Sequence, residues 1–323
     1  MAFTVFEEPI RRKYNASCCS FSFCFHMLCI VGAVLIPFYI AYGSGNFWLK
    51  KSVLFEQPQV KFTYEILTVF QGVSSNDPDS IQTWVWDTVP EIQQVYEPFL
   101  RPCIVRAWPT DSNLDGISDE WTITVQMPLD HGDKVYQVQS VARFTYELVG
   151  RAALFMDTIA YIEHSSPIPG RGLNVEADAQ LRQKEALSVR KENILSQGRR
   201  STPASLQENL ISTLVSSYSK RNFTMELSNT YKVWSTIGNM DQFSTIPDSF
   251  LLNFTLRIPT DQIVYIPDVP QVLKVAWIQY FSIAAIFFIL FYILEKFVYT
   301  NQVLETMVFA EGQKSNTRKG HTF

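Results

Sequence analysis

"FSFCFHMLCIVGAVLIPFYIAY", residues 21 to 42, decides the fold class. It contains no Asp, Glu, Lys or Arg; only His26, a few Ser and Cys, and Pro37 interrupt it. A helix of this length rises about 1.5 Å per residue and so crosses the roughly 30 Å of hydrocarbon in a bilayer. A second uncharged run, "VAWIQYFSIAAIFFILFYIL" at 275 to 294, ends at Glu295-Lys296 and is also long enough. The other reading of the first run is a cleaved signal peptide, because Arg11, Arg12 and Lys13 precede it. Signal cores are only about 7 to 15 residues, so an uncleaved anchor is expected.

Orientation follows from the basic residues beside each span. Arg11, Arg12 and Lys13 precede the first, and Lys296, Lys314, Arg318 and Lys319 follow the second. Lys50, Lys51, Lys61, Arg257 and Lys274 lie on the other side, so the bias toward cytosolic termini is modest. Two sequons, Asn222-Phe-Thr224 and Asn253-Phe-Thr255, fall between the spans and would place that region outside the cytosol if glycosylated. The expected layout is a cytosolic tail over 1–19, a helix over 20–42, an extracellular domain over 43–274, a helix over 275–294 and a cytosolic tail over 295–323. Cys18 and Cys19, beside the inner leaflet, are candidate palmitoylation sites. Cys103 alone lies in the outer region, so no internal disulfide can brace it.

Between the spans the apolar pattern has period two. Val60, Phe62, Tyr64 and Ile66 share one face; so do Trp121, Ile123, Val125 and Met127. Tyr136, Val138, Ala142, Phe144, Tyr146 and Leu148 form a third such face, and Leu252, Phe254, Leu256 and Ile258 a fourth. These are half-buried strands, and the last puts Asn253 on the solvent side. One helix is expected in "TPASLQENLISTLVSSYSKRN", with Leu206, Leu210, Leu214 and Tyr218 four apart. The fold class is therefore an α+β membrane protein: two transmembrane helices flanking a β-rich, sandwich-like extracellular domain with one helix. Strands near residues 60 and 255 should enter and leave close to the membrane.

"DSNLDGISDEW", 111 to 121, has the spacing of a calcium loop. Asp111, Asn113 and Asp115 offer side-chain oxygens, Ile117 a carbonyl and Asp119 a direct or water-mediated contact. Gly116 permits the sharp turn. Thr122 stands where a bidentate Glu would close the loop, and a strand pattern follows instead of a helix. Against the calcium reading stands an Asx-rich turn that needs no metal. No cofactor is required; calcium is the candidate, as a brace.

Enzyme signatures do not appear. His131 and His164 have no metal-ligand spacing, and there is no nucleophile elbow, Walker loop or dinucleotide fingerprint. Nothing resembles a nucleic-acid reading helix, so the bilayer is the one partner the residues themselves name. His26 and Gln279 are polar residues within the spans, at opposite depths in an antiparallel pair. Snorkelling, or a bond to another subunit, is expected of each.

"NFWLKKSVLFEQPQVKF" (46–62), "VKFTYEI" (60–66), "DSNLDGISD" (111–119) and "LKVAWIQYFSIAAIFFILFYILEKFVYTNQV" (273–303) together resemble the transmembrane protein 231 family. The resemblance implies a non-enzymatic component of the Meckel-syndrome complex in the ciliary membrane at the transition zone. That complex forms part of a diffusion barrier that controls ciliary membrane composition and supports ciliogenesis. Implied partners are tectonics, small membrane subunits and cytosolic C2-like subunits. A different reading of the same residues is a calcium- or ligand-binding accessory subunit of a receptor or channel.

Overall fold

The structure is a computed structural model that describes residues 12–17, 20–45, 47–75, 77–189, 193–195, 210–236 and 248–310. The chain divides into two compact units: Met1–Lys50 with Val269–Phe323, and Lys51–Asp268. In chain order the elements are β1 (Arg12–Asn15), α1 (Phe21–Gly43), β2 (Ser52–Glu56), β3 (Gln59–Ser74), β4 (Asp77–Asp87), α2 (Pro90–Val95) and β5 (Ile104–Thr110). Then come β6 (Glu120–Pro128), β7 (Lys134–Leu148), β8 (Leu154–Gly170), β9 (Gly172–Gln183), β10 (Leu187–Ser188) and β11 (Asn193–Leu195). The chain ends with α3 (Leu210–Ser219), β12 (Phe223–Ser235), β13 (Ser249–Arg257), β14 (Asp261–Ile266), α4 (Val269–Thr300) and β15 (Met307–Ala310).

In the first unit α1 and α4 are both long and apolar enough to cross a membrane. Ser20 caps α1, its hydroxyl accepting from the Phe23 amide at 3.3 Å. Helix α4 has 32 residues and extends beyond the uncharged run at both ends. The helices pack through small residues: Cys29, Ala33, Ala41, Ala276 and Ala284 are buried. A Cβ added to Gly32 would lie 3.0 Å from the Phe291 ring. Close approach of backbones is how apolar helices gain packing energy where no hydrophobic drive exists between them. Strands β1 and β15 form an antiparallel ladder that joins the two tails, with Tyr14 opposite Val308.

The second unit is a β-sandwich. One sheet has the order β11-β8-β7-β3-β4, the other β12-β9-β13-β6-β5. Their facing residues form one core that includes Phe70, Ile123, Met127, Phe144, Tyr146, Phe250 and Phe254, each at most 1% exposed. The period-two faces read from the sequence point inward, with two shifts. At Phe62/Ile66 the register of β3 against β7 jumps. Tyr64 (φ 62°) is turned out there and is 61% exposed, while Phe62 and Ile66 both stay buried. A bulge places extra residues opposite one partner and so breaks alternation. Near Val135/Gln137 a second irregularity in β7 against β8 leaves Tyr136 half-buried and brings Val135 inward.

A third sheet, β10-β14-β2, contains the two strands next in sequence to α1 and α4. β2 and β14 pair antiparallel from Asp261↔Glu56 to Tyr265↔Ser52. The entering and leaving strands are thus these two short ones, not those near residues 60 and 255. Their five and six residues, set off by Pro58 and Pro259, are too few to show a clear alternation. The outer face of the first sheet carries a second cluster, in which Leu67 and Val85 meet Ile92 of α2 and Ile211 and Leu214 of α3. Helix α3 matches the expected amphipathic helix from residue 210 on; Leu206 and the start of the expected stretch lie outside the described residues. Helix α2, six residues long, is too short for periodicity to reveal.

Candidate functional site

The acidic stretch is the hairpin loop between β5 and β6. Thr110 and Glu120 are paired across its base, and the Asp119 amide donates to the Thr110 carbonyl at 2.9 Å. Asp111 holds the turn from inside: one carboxylate oxygen accepts from the Leu114 amide at 2.7 Å, the other from the Gly116 amide at 2.9 Å. Asn113 Oδ1 accepts from the Asp115 amide and Asp115 Oδ1 from the Ile117 amide. Leu114 (φ 60°) and Gly116 (φ 86°) supply the left-handed backbone the loop needs. Asp111, Asn113, Asp115 and Asp119 therefore each accept from an amide of the loop itself, and Ile117 supplies one of those amides.

Asp119 ties the loop to the sandwich. It accepts from the Ser112 amide at 2.9 Å and from Gln57 Nε2 at 2.9 Å. These hydrogen bonds, Gln57's foremost, hold its carboxyl below its ordinary range. Gln57 also donates to the Ile258 carbonyl, and the Ile258 amide donates to the Asp119 carbonyl at 2.7 Å. The sequence reading missed Gln57; its place between β2 and β3 in "FEQPQV" carries no loop signal. A calcium site takes 6 to 8 oxygens. Among the described residues no group of three or more His, Cys, Asp or Glu side chains is placed to hold an ion.

The sequons differ in setting. Asn222 is exposed just before β12; its amide nitrogen donates to Glu185, and Thr224 is buried beside it. Asn253 is half-buried on the outer face of β13, the middle strand of its sheet. Its amide nitrogen donates to Asn174 Oδ1 at 3.1 Å and its oxygen accepts from Thr124 at 3.3 Å. Cys18 and Cys19 lie outside the described residues.

In the helix pair, His26 Nδ1 lies 2.9 Å from Glu295 Oε1. Its partner is thus within the chain, on the facing helix, and not on another subunit as the sequence led one to expect. Nearby, the Tyr299 hydroxyl donates to the Ser22 carbonyl at 3.0 Å, and Ser22 donates to the Glu305 carbonyl at 2.6 Å. These bonds fix the ends of α1 and α4 nearest the tail ladder.

The sequence matches known proteins along almost the whole chain. A family model described as Transmembrane protein 231 matches residues 1–308. The curated Transmembrane protein 231 of Xenopus tropicalis is 32% identical over 94% of this chain and 95% of its own length. That of Homo sapiens is 31% identical over 99% and 98%, and that of Mus musculus 31% identical over 98% of each. A solved proton-activated chloride channel aligns with 84% of this chain and 98% of its own, at 9% identity and a TM-score of 0.25, too low to carry the fold across. The matched stretch takes in both apolar helices and every strand of the sandwich. The chain is a membrane protein and belongs to the transmembrane protein 231 family.

Proposed function

We propose that this chain is a non-enzymatic structural subunit of the ciliary transition-zone membrane complex, with both termini in the cytosol and the sandwich outside the cell. Kinship with the transmembrane protein 231 family over almost the full length of the curated relatives carries this reading. The architecture suits the role. Two spans give a fixed depth in the bilayer, and a sandwich with a single packed core offers rigid outer faces and sheet edges for protein partners. Tectonics and small membrane subunits would meet the spans and sandwich; cytosolic C2-like subunits would meet the tails and their β1–β15 ladder.

Within the same reading the loop 111–119 is a brace for the β5–β6 hairpin, and calcium would add to bonds that the loop's amides already make. Glycans at Asn222 and Asn253 would confirm the outer side; a mobility shift on glycosidase treatment, lost in Asn222→Gln with Asn253→Gln, tests this. The role itself is tested by imaging. In ciliated cells, the tagged chain should concentrate in a ring at the base of the cilium, and its deletion should let membrane proteins normally held out enter the cilium. Uniform plasma-membrane staining with an intact barrier after deletion would refute the role.

A further inference from the structure

A cavity of about 370 Å³ opens between the two apolar helices. Its walls include Phe38 of α1, Phe47 and Trp48 just beyond it, and Ala276, Trp277 and Tyr280 of α4; the rest of the lining is aliphatic. Phe38 lies 17 residues beyond Phe21, about 26 Å along the helix at about 1.5 Å per residue. That depth puts the groove in the leaflet opposite the two tails. Its size falls within the range of about 300 to 1,000 Å³ typical of small-molecule sites.

Three features narrow the occupant. First, no lining side chain is charged. A phosphate headgroup is bound through charge-assisted bonds from Arg, Lys or clustered amides, and this wall offers none. Second, the rings hold one another in place. Phe38 meets Phe47 edge-on at 5.8 Å, and Trp277 stacks on Phe281 at 4.8 Å with 10° between planes. Flat, fixed walls suit a rigid fused-ring body, which gives up little conformational freedom on binding, whereas an acyl chain must be ordered bond by bond. Third, the Tyr280 hydroxyl reaches the Val34 carbonyl only at 3.4 Å, a long bond. It retains capacity for a second hydroxyl.

We infer that this groove is a sterol site, taking a planar ring system with one uncharged hydroxyl that meets Tyr280. The ligand fills the gap that small Ala276 leaves between the helices and is covered from the outer side by Phe47 and Trp48. Binding would make this subunit sensitive to the sterol content of its membrane patch.

The full-length chain in phosphatidylcholine nanodiscs, exposed to a photoactivatable cholesterol, provides the test. Labelling should saturate, map to peptides containing Phe38, Trp48 or Tyr280, and be competed by cholesterol but not by anionic cholesterol sulfate. Trp48→Ala, which removes a wall outside the helix packing, and Ala276→Leu, which fills the groove, should each weaken labelling about tenfold. Ile286→Ala, at a position 65% exposed on the same helix and outside the groove, should leave it unchanged. Labelling that fails to saturate, that persists in either groove variant, or that a photoactivatable phosphatidylcholine competes equally well would overturn the site and identify ordinary bulk lipid as the occupant.

Discussion

Asp111 holds two amides of an exposed turn on one carboxylate, so its removal acts on the loop whether or not an ion is present. Asp111→Ala should lower the melting temperature of the full-length protein by the equivalent of about 1 to 2 kcal/mol even in chelator, where the two amide bonds alone are lost. A loss seen only with calcium would mean that the ion holds the turn. Asp133 is the other carboxylate with a structural task. Its side chain is fully buried and accepts from Arg101 at 2.7 Å and from the Ser75 and Asp130 amides at 3.1 Å each, with Arg101 lying over the Trp84 ring. Burial pushes this carboxyl up, but the guanidinium and amides outweigh burial and hold it below the usual range. A depressed folded value means that its stabilisation is present above the unfolded value of about 3.9 and is lost as pH falls through the folded one. Asp133→Asn should therefore destabilise at neutral pH and flatten the acid limb of the stability curve, as read by denaturant titration across pH. Asp261 has the opposite sign: burial raises its carboxyl, against the Leu181 amide and the Tyr146 hydroxyl. Its contribution is complete below about 3.9 and fades as pH rises through the raised folded value. Burial likewise pushes the Cys103 thiol up to about 12, against the nearby Arg101 charge. At pH 8 an alkylating reagent should leave Cys103 unmodified until denaturant is added; rapid labelling of the native protein would contradict its burial.

Between elements, backbone proximity limits what the sequence can change. A Cβ on Gly72 would come within 2.1 Å of the Lys134 carbonyl and 2.8 Å of Trp84, where the β3–β7 register shifts. Gly72→Ala should cost about 1 to 3 kcal/mol in denaturant unfolding, a strain cost and not a lost contact. The tail ladder is tested by register: Tyr14→Cys with Val308→Cys should form an intramolecular disulfide under mild oxidation, and Tyr14→Cys with Val303→Cys should not. The long strands were legible because the core takes their apolar residues on one face, cleanly along Leu252–Ile258; in Trp121–Met127 the polar Thr124 and Gln126 are buried as well, so residue type and not exposure marks the faces there. What the sequence does not show is local or contextual. Tyr64 belongs to the apolar alternation by residue type and is turned outward only by a bulge, which follows from pairing with β7 and leaves no trace in β3 itself. The β2–β14 pair and α2 are too short for a period to register. The His26–Glu295 contact joins residues 269 apart, and only the packing of α1 on α4 brings them together.

For the whole molecule, the two spans and the sandwich were readable because bilayer thickness and core burial each impose a strict pattern. The acidic loop was readable as a tight turn, since Asp, Asn and Gly at that spacing fix backbone shape; what its oxygens face was not, because that depends on Gln57 and Ile258 arriving from elsewhere. Function is least local of all. The proposed role rests on kinship along almost the full chain, which no single residue carries. Purification from ciliated cells in mild detergent, with mass spectrometry of what accompanies the tagged full-length chain, tests the central claim most directly. The account predicts a large assembly of transition-zone membrane and C2-like subunits that persists after calcium chelation. A chain that elutes alone, or one found only with a receptor or channel from which calcium removal releases it, would contradict the account.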